Sequence, residues 1–221
     1  MTRSEAELRK QSRYNYVQEN KFFKILRANE PDTSTEVDLD LSPIITYLRS
    51  FTNNEDMSAE ELTQRLCWLL GMRAFLRPSD TERVDLNKRC VEEGFISHHV
   101  VRPKETSSGI HKSKSVILRA HFLDRQLCPV QTFKDYVRRL AYTKASFPHP
   151  TMSSLRYNPL IRHIKSPKVK VSSQRISKHI AAIMSRVDFP PDYRLPKARA
   201  AGSTHTAKNG VSVYDIVAQG N

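Results

Sequence analysis

With 221 residues and 38% hydrophobic content, the chain can build one sizeable core, which excludes wholesale disorder. Lys and Arg number 36 against 23 Asp and Glu, a formal net charge of +13, and Cys67, Cys90 and Cys128 form no C-x-x-C pair, so neither a zinc site nor a disulfide framework is expected and the compartment is read as reduced and intracellular. No apolar run reaches transmembrane length, "MTRSEAELRKQSRYN" is no signal peptide, and neither G-x-x-x-x-G-K-[ST] nor G-x-G-x-x-G occurs, so membrane and nucleotide-loop classes get no support.

Residues 1–30 read as a polar, partly helical segment, and "EPDTSTEVD" after it is linker-like, without apolar period. "LSPIITYLRSF" predicts a short helix with Ser42 as N-cap and Pro43 in its first turn. Ser58-Ala-Glu-Glu61 is a capping box, and Leu62, Leu66, Leu69 and Leu70 form the helical stripe behind it. Trp68 and Met72 make that helix apolar nearly all round, so it belongs in the middle of the domain. It is expected to run on to Arg77 and stop at Pro78, after which Ser79-Asp-Thr-Glu82 opens a short helical turn. Residues 94–102, "GFISHHVVR", and 114–121, "KSVILRAH", predict a hairpin with a long basic tip. His98 and His99 fall on opposite faces of its first strand, and a strand histidine is read as half-exposed. "CPVQTFKDYVRRLAY" is a helix with Val130, Phe133, Tyr136, Val137 and Leu140 on one face. Residues 146–170 read as loop, and "SQRISKHIAAIMSRV" is a helix with Ile176, Ile180, Ile183, Met184 and Val187 inward. "DFPPDYRLPK" breaks the chain before two last helical pieces, "ARAAGSTHTAKNG" and "VSVYDIVAQGN". The fold class is therefore mainly α with one small antiparallel β-sheet (α+β).

Charge is spread unevenly. Residues 1–60 carry 8 basic and 11 acidic side chains, a net of −3, whereas residues 61–221 carry 28 and 12, a net of +16. Such one-sided charge opposes compaction unless a polyanion is expected, so nucleic acid is the favoured partner. No carboxylate pair suits acid–base work, and no histidine has ligand spacing with a third partner, so neither metal nor cofactor is called for. What remains is a set of cations at element ends: Arg77 closing a helix, Lys104 at the hairpin rim, and Arg199 opening a helix after Pro196. Converging on one point, they would clamp a phosphate. Arg73 competes with Arg77 but lacks the small residue and acid that follow, and Lys112 or Lys114 could stand in for Lys104.

In "FLRPSDTERVDL", "RPKETSSG" followed by "KSVILRAHFLDRQLCPVQTFKDYV", and "PKARAAGSTHTAKNGVSVYDIV", the chain resembles the catalytic domain of tyrosine recombinases of the phage-integrase type. The resemblance covers roughly residues 40–221 and is nearest to versions carried by eukaryotic, notably fungal, mobile elements. Arg77 takes the first arginine position and Asp80 the acid after it, Lys104 the hairpin lysine, and Arg199 the second arginine, with Ser203-Thr204-His205 and Gly210 following. Pro196 stands where the family has histidine, three residues before that arginine.

The resemblance implies residues 1–40 as the remnant of a core-binding domain and 41–221 as the catalytic domain. It also implies DNA recombination and integration through a 3′-phosphotyrosyl intermediate, without metal or cofactor, by subunits assembled on duplex DNA, in the nucleus if the source is eukaryotic. The two arginines would stabilise the charged transition state and the lysine would protonate the leaving oxygen. Arg162, Lys165, Lys168, Lys170, Arg175 and Lys178 would contact backbone phosphates. The family's nucleophile is expected beyond Asn221, since Tyr193 precedes Arg199 and Tyr214 follows it too closely, on a helix where packing is expected. These 221 residues are therefore expected to be C-terminally truncated and not to cleave DNA by themselves. A non-catalytic duplex-binding module derived from a recombinase, and an unrelated basic RNA-binding protein, are the alternatives.

Overall fold

Ser58 starts the element around which the rest packs. Its hydroxyl accepts from the Glu61 N–H at 3.2 Å and the Glu61 carboxylate accepts from the Ser58 N–H at 2.8 Å, the reciprocal box expected there. In this computed structural model, which describes residues 39–103, 114–188, 190, 192 and 195–220, the helix so capped spans Ala59–Arg73. The expected helical segment over residues 1–30 lies outside the described residues, which form one packing unit from Leu39 onward.

This helix is α2, and three others can be placed near it: α1 (Ser42–Arg49), α3 (Pro78–Glu82) and, after the sheet, α4 (Pro129–Leu140). The chain continues with α5 (Ser173–Met184), α6 (Ala198–Lys208) and α7 (Val213–Gly220). Helix α2 touches α3, α4, α5 and α6, and Leu62, Leu66, Leu69 and Leu70 are each at most 1% exposed. An all-round apolar helix has no face to give to solvent, so its central place follows from composition. Ser42 is not the N-cap of α1: it is the first helical residue, and Asp40 accepts from its N–H at 2.8 Å.

A charged side chain is enclosed in this core. Arg65, fully buried, donates to the Leu48 carbonyl and to Asn54 Oδ1 (2.7 Å), and Asn54 in turn donates to Asp135 on α4 at 2.7 Å. Burial pushes the guanidinium down to about 10, and the chain Arg65–Asn54–Asp135 ties α1, α2 and α4 together.

The expected hairpin is part of a three-stranded antiparallel sheet in the order β1 (Val84–Glu92), β2 (Phe95–Val100), β3 (Lys114–Arg119). Val100 pairs with both Val84 and Lys114. Ile96, His98 and Val100 face inward with Val116 and Leu118. His98 is thus not half-exposed: it is 1% exposed, its ring lies 4.7 Å from that of Phe133, and burial with Arg89 nearby pushes its pKa down to about 4. Residues 146–170 are not a plain loop either. They hold two hairpins, β4 (Phe147–His149) with β5 (Met152–Tyr157), and β6 (Arg162–His163) with β7 (Ser166–Lys170).

Candidate phosphate-binding site

Helix α2 ends at Arg73, four residues before Arg77. Phe75 takes a left-handed conformation (φ 52°) with its ring buried, and the Leu76 N–H returns to the Leu70 carbonyl at 3.2 Å. Arg77 therefore does not close the buried helix. It is the N-cap of α3, in extended conformation, with Pro78 at the first helical position, so proline starts a helix here and does not stop one. The cap closes through Asp80, 1% exposed, whose Oδ2 accepts from the Arg77 N–H at 3.3 Å; Ser79 is not the cap. Glu82 anchors the other end of α3. It accepts from the Ser173 N–H at the start of α5 (3.1 Å) and lies 3.8 Å from Lys170, an anion where the helix dipole favours one.

The second arginine is placed by the absence of side chains. A Cβ on Gly202 would stand 2.2 Å from the Met72 carbonyl oxygen, and one on Gly71 3.2 Å from the Ala198 Cβ. Helices α2 and α6 thus meet backbone to backbone, which carries Arg199, the second residue of α6, to the α2–α3 corner. Arg77 and Arg199 line one cleft of about 870 Å3, with Ser79 and Ser203 beside them and Ser177, Ala181 and Met184 of α5 as the opposite wall.

A third cation belongs to this group. Burial holds the Lys114 ammonium below the ordinary lysine range; Asp80 opposes that, and Arg199 and Arg77 both add to it. Arg199 is likewise held below the ordinary arginine range, by burial first and Arg77 second, with Asp80 opposing. Three half-buried cations around one carboxylate leave net positive charge in a partly dry cleft, which is the electrostatic signature of an anion site. Lys104 and Lys112 lie outside the described residues. Arg73 is exposed and lines a separate groove with Phe75, Ile117 and Ile216, so it does not compete for this one.

The basic stretch divides. Lys165, Lys168, Arg175 and Lys178 are exposed, and Lys170 is half-buried beside Glu82. Arg162 is a correction. It is 1% exposed, and its guanidinium donates to the carbonyls of Pro159 (2.7 Å), Pro167 (2.9 Å) and Thr143 (3.2 Å) and to Asn158 Oδ1. It braces the β5–β7 turns and has no face for a phosphate. Arg162→Met is expected to lower the unfolding free energy by about 3 kcal/mol, because it leaves buried carbonyls unsatisfied. Urea unfolding checks this; a variant as stable as the parent but weaker on DNA would restore the phosphate role. Tyr214 is a second correction: it is 74% exposed on α7 and does no packing, while Tyr193 lies outside the described residues.

Sequence reading missed the contact that assembles the cleft, although a signal was present. Ala198 and Gly202 stand four apart, one helical turn, on the same face of α6, and Gly71 sits in an otherwise large-residue helix. Among the described residues no cluster of His, Cys, Asp and Glu could hold a metal, and no helix is long and apolar enough to cross a membrane.

No protein-family model matches the chain, and no curated protein sequence does. Solved structures do. The XerH site-specific recombinase bound to difH substrate, in a pre-cleavage complex, is 12% identical with a TM-score of 0.53, over 81% of this chain and 44% of that one. The same recombinase on a palindromic difH substrate, in a post-cleavage complex, is 13% identical with a TM-score of 0.55, over 87% and 48%. The chain spans just under half the length of the structures it matches. At this identity the likeness shows the fold alone, the tyrosine-recombinase fold, here helices with small antiparallel sheets.

Proposed function

We propose that this chain binds duplex DNA and holds one backbone phosphate between Arg77 and Arg199, as the phosphate-binding part of a site-specific recombinase that works as several copies assembled on DNA. One observation carries this: two arginines 122 residues apart in sequence line the same cleft, with Lys114 within electrostatic reach of both. Gathering like charges in a half-dry cleft is unfavourable without an anion to receive, so the cleft is built for one. The guanidinium forks would contact the non-bridging oxygens and oppose the charge that grows on them in strand transfer. Lys114 is preferred to Lys104 for the proton to the leaving oxygen, since the same surroundings that gather it there also lower its hold on that proton. No tyrosine of the chain is assigned the nucleophile's part.

The exposed cations Lys165, Lys168, Arg175 and Lys178 supply the rest of the grip, fixing position and not sequence. With about six phosphates engaged, log Kd against log salt should have a slope of magnitude near 5. Fluorescence anisotropy with a labelled duplex from 50 to 250 mM salt measures it, with structured RNA as competitor. A flat response, or RNA displacing the duplex at equal concentration, would sink the proposal.

A further inference from the structure

A cavity of about 240 Å3 opens on another flank of α5, between the first turn of α2 and the β6–β7 hairpin. Arg175 and His179 of α5 line it, whereas Ser177 and Ala181 line the arginine cleft. At ~100° per residue the two pairs stand nearly half a turn apart, with exposed Lys178 between them. His179 is 4% exposed and makes no hydrogen bond to another described residue. Neither ring nitrogen is sealed from solvent without a partner, so the imidazole opens to the cavity and can take a ligand from it. The surrounding charge says which. Lys165 and Arg175 are exposed at the mouth and ion-paired to no described residue, Arg162 adds charge from behind with its donors already used, and His163 sits at the rim. Glu60 alone opposes them, and it is exposed.

We propose that this cavity is a second oxyanion site, which takes a phosphate group on Lys165, Arg175 and the His179 ring. The site rests on the duplex-binding proposal only for the source of the phosphate, since a free phosphate and a DNA backbone phosphate present the same oxygens. In the empty site, burial holds the His179 imidazole below its ordinary range, Arg175 adds to that, and Glu60 opposes. An anion beside the ring reverses the balance, so binding takes up a proton and tightens as pH falls through the titration of His179.

The experiment follows the His179 ring protons by NMR in the full chain between pH 5 and 8, with and without inorganic phosphate. The expected result is an upward shift of the His179 titration by about one unit or more, lost in the Lys165→Ala/Arg175→Ala double variant and larger in Glu60→Gln. A titration that phosphate leaves unmoved means the cavity holds only water, and overturns the site. A parallel arm measures duplex affinity at pH 7.5 and 5.5. Duplex that shifts His179, and gains severalfold more affinity on acidification in the parent than in His179→Gln, assigns the phosphate to the backbone. Duplex that binds without moving His179, where free phosphate does move it, assigns the site to free phosphate. Duplex binding with neither ligand moving His179 defeats this inference and leaves the arginine cleft standing. Phosphate binding with no duplex binding does the reverse.

Discussion

Gly202→Ala is expected to lower the unfolding free energy by on the order of 3 kcal/mol and to weaken duplex binding with it. On an exposed helix the change would help, since alanine is the better helix former by roughly 1 kcal/mol. Here the new methyl would lie 2.2 Å from the Met72 carbonyl oxygen, 2.8 Å from its Cα and 2.9 Å from its carbonyl carbon. All three are backbone atoms of α2, so no rotamer relieves the overlap and one helix must move. Because Arg199 rides on α6 three residues earlier, that movement separates it from Arg77. The expected loss corresponds to a fall in Tm of roughly 6–12 °C for a domain of this size. Thr204→Ala, exposed on the same helix, serves as the control and should change Tm little. If Gly202→Ala matches that control in Tm and in duplex affinity, the backbone contact that builds the cleft is wrong.

How much of this was legible in the sequence depends on the scale of the interaction. Helices α2, α4 and α5 are written in their apolar periods, and the box at Ser58 is written in four consecutive residues, because both are set by neighbours in the chain. The exact place of Arg77 is not. Three helix-compatible residues, Ala74, Phe75 and Leu76, follow Arg73, and only the buried left-handed turn at Phe75 shows that the helix has already ended. Strand β1 escaped notice because only Val84, Asp85 and Leu86 are buried and the remaining six residues project into solvent as a mixed polar run.

Arg162 and His98 fail for the opposite reason. Composition places an arginine among lysines on a basic surface and leaves a strand histidine half-exposed. The turns on either side instead bring the Pro159 and Pro167 carbonyls around the first, and longer-range packing brings the Thr143 carbonyl to it and Phe133 against the second. The cleft itself was legible as a set of cations, Arg77 and Arg199, and the fold that joins them follows from the resemblance. The identity of the lysine was not legible: Lys104, Lys112 and Lys114 are equivalent as turn residues. Of the three, Lys114 is the one among the described residues, and its pairing with Val100 places it within electrostatic reach of Asp80 and the two arginines.

Arg77→Ala and Arg199→Ala are each expected to weaken duplex binding by about 10- to 100-fold at low salt, the range for a charge-assisted hydrogen bond to phosphate. The double variant should lose less than the product of the two, because both groups hold the same phosphate and the second removal finds it already loosened. Arg77→Lys and Arg199→Lys should recover only part of the loss, since an ammonium keeps the charge but not the fork. Lys114→Ala should weaken binding in the same coupled manner, and Arg73→Ala, in its separate groove, should not. Stability supplies the cross-check. Arg199 and Lys114 are both half-buried and held below their ordinary ranges by burial and by the neighbouring arginine charge. Taking one cation away relieves that repulsion but also withdraws a partner from buried Asp80, so the free protein's Tm should change little while affinity falls. Parallel anisotropy and thermal-unfolding series on the single and double variants decide the matter. Losses that add in full would put the two arginines on different phosphates. Affinity that falls only in step with Tm would make them supports of the fold. Either outcome ends the single-phosphate clamp.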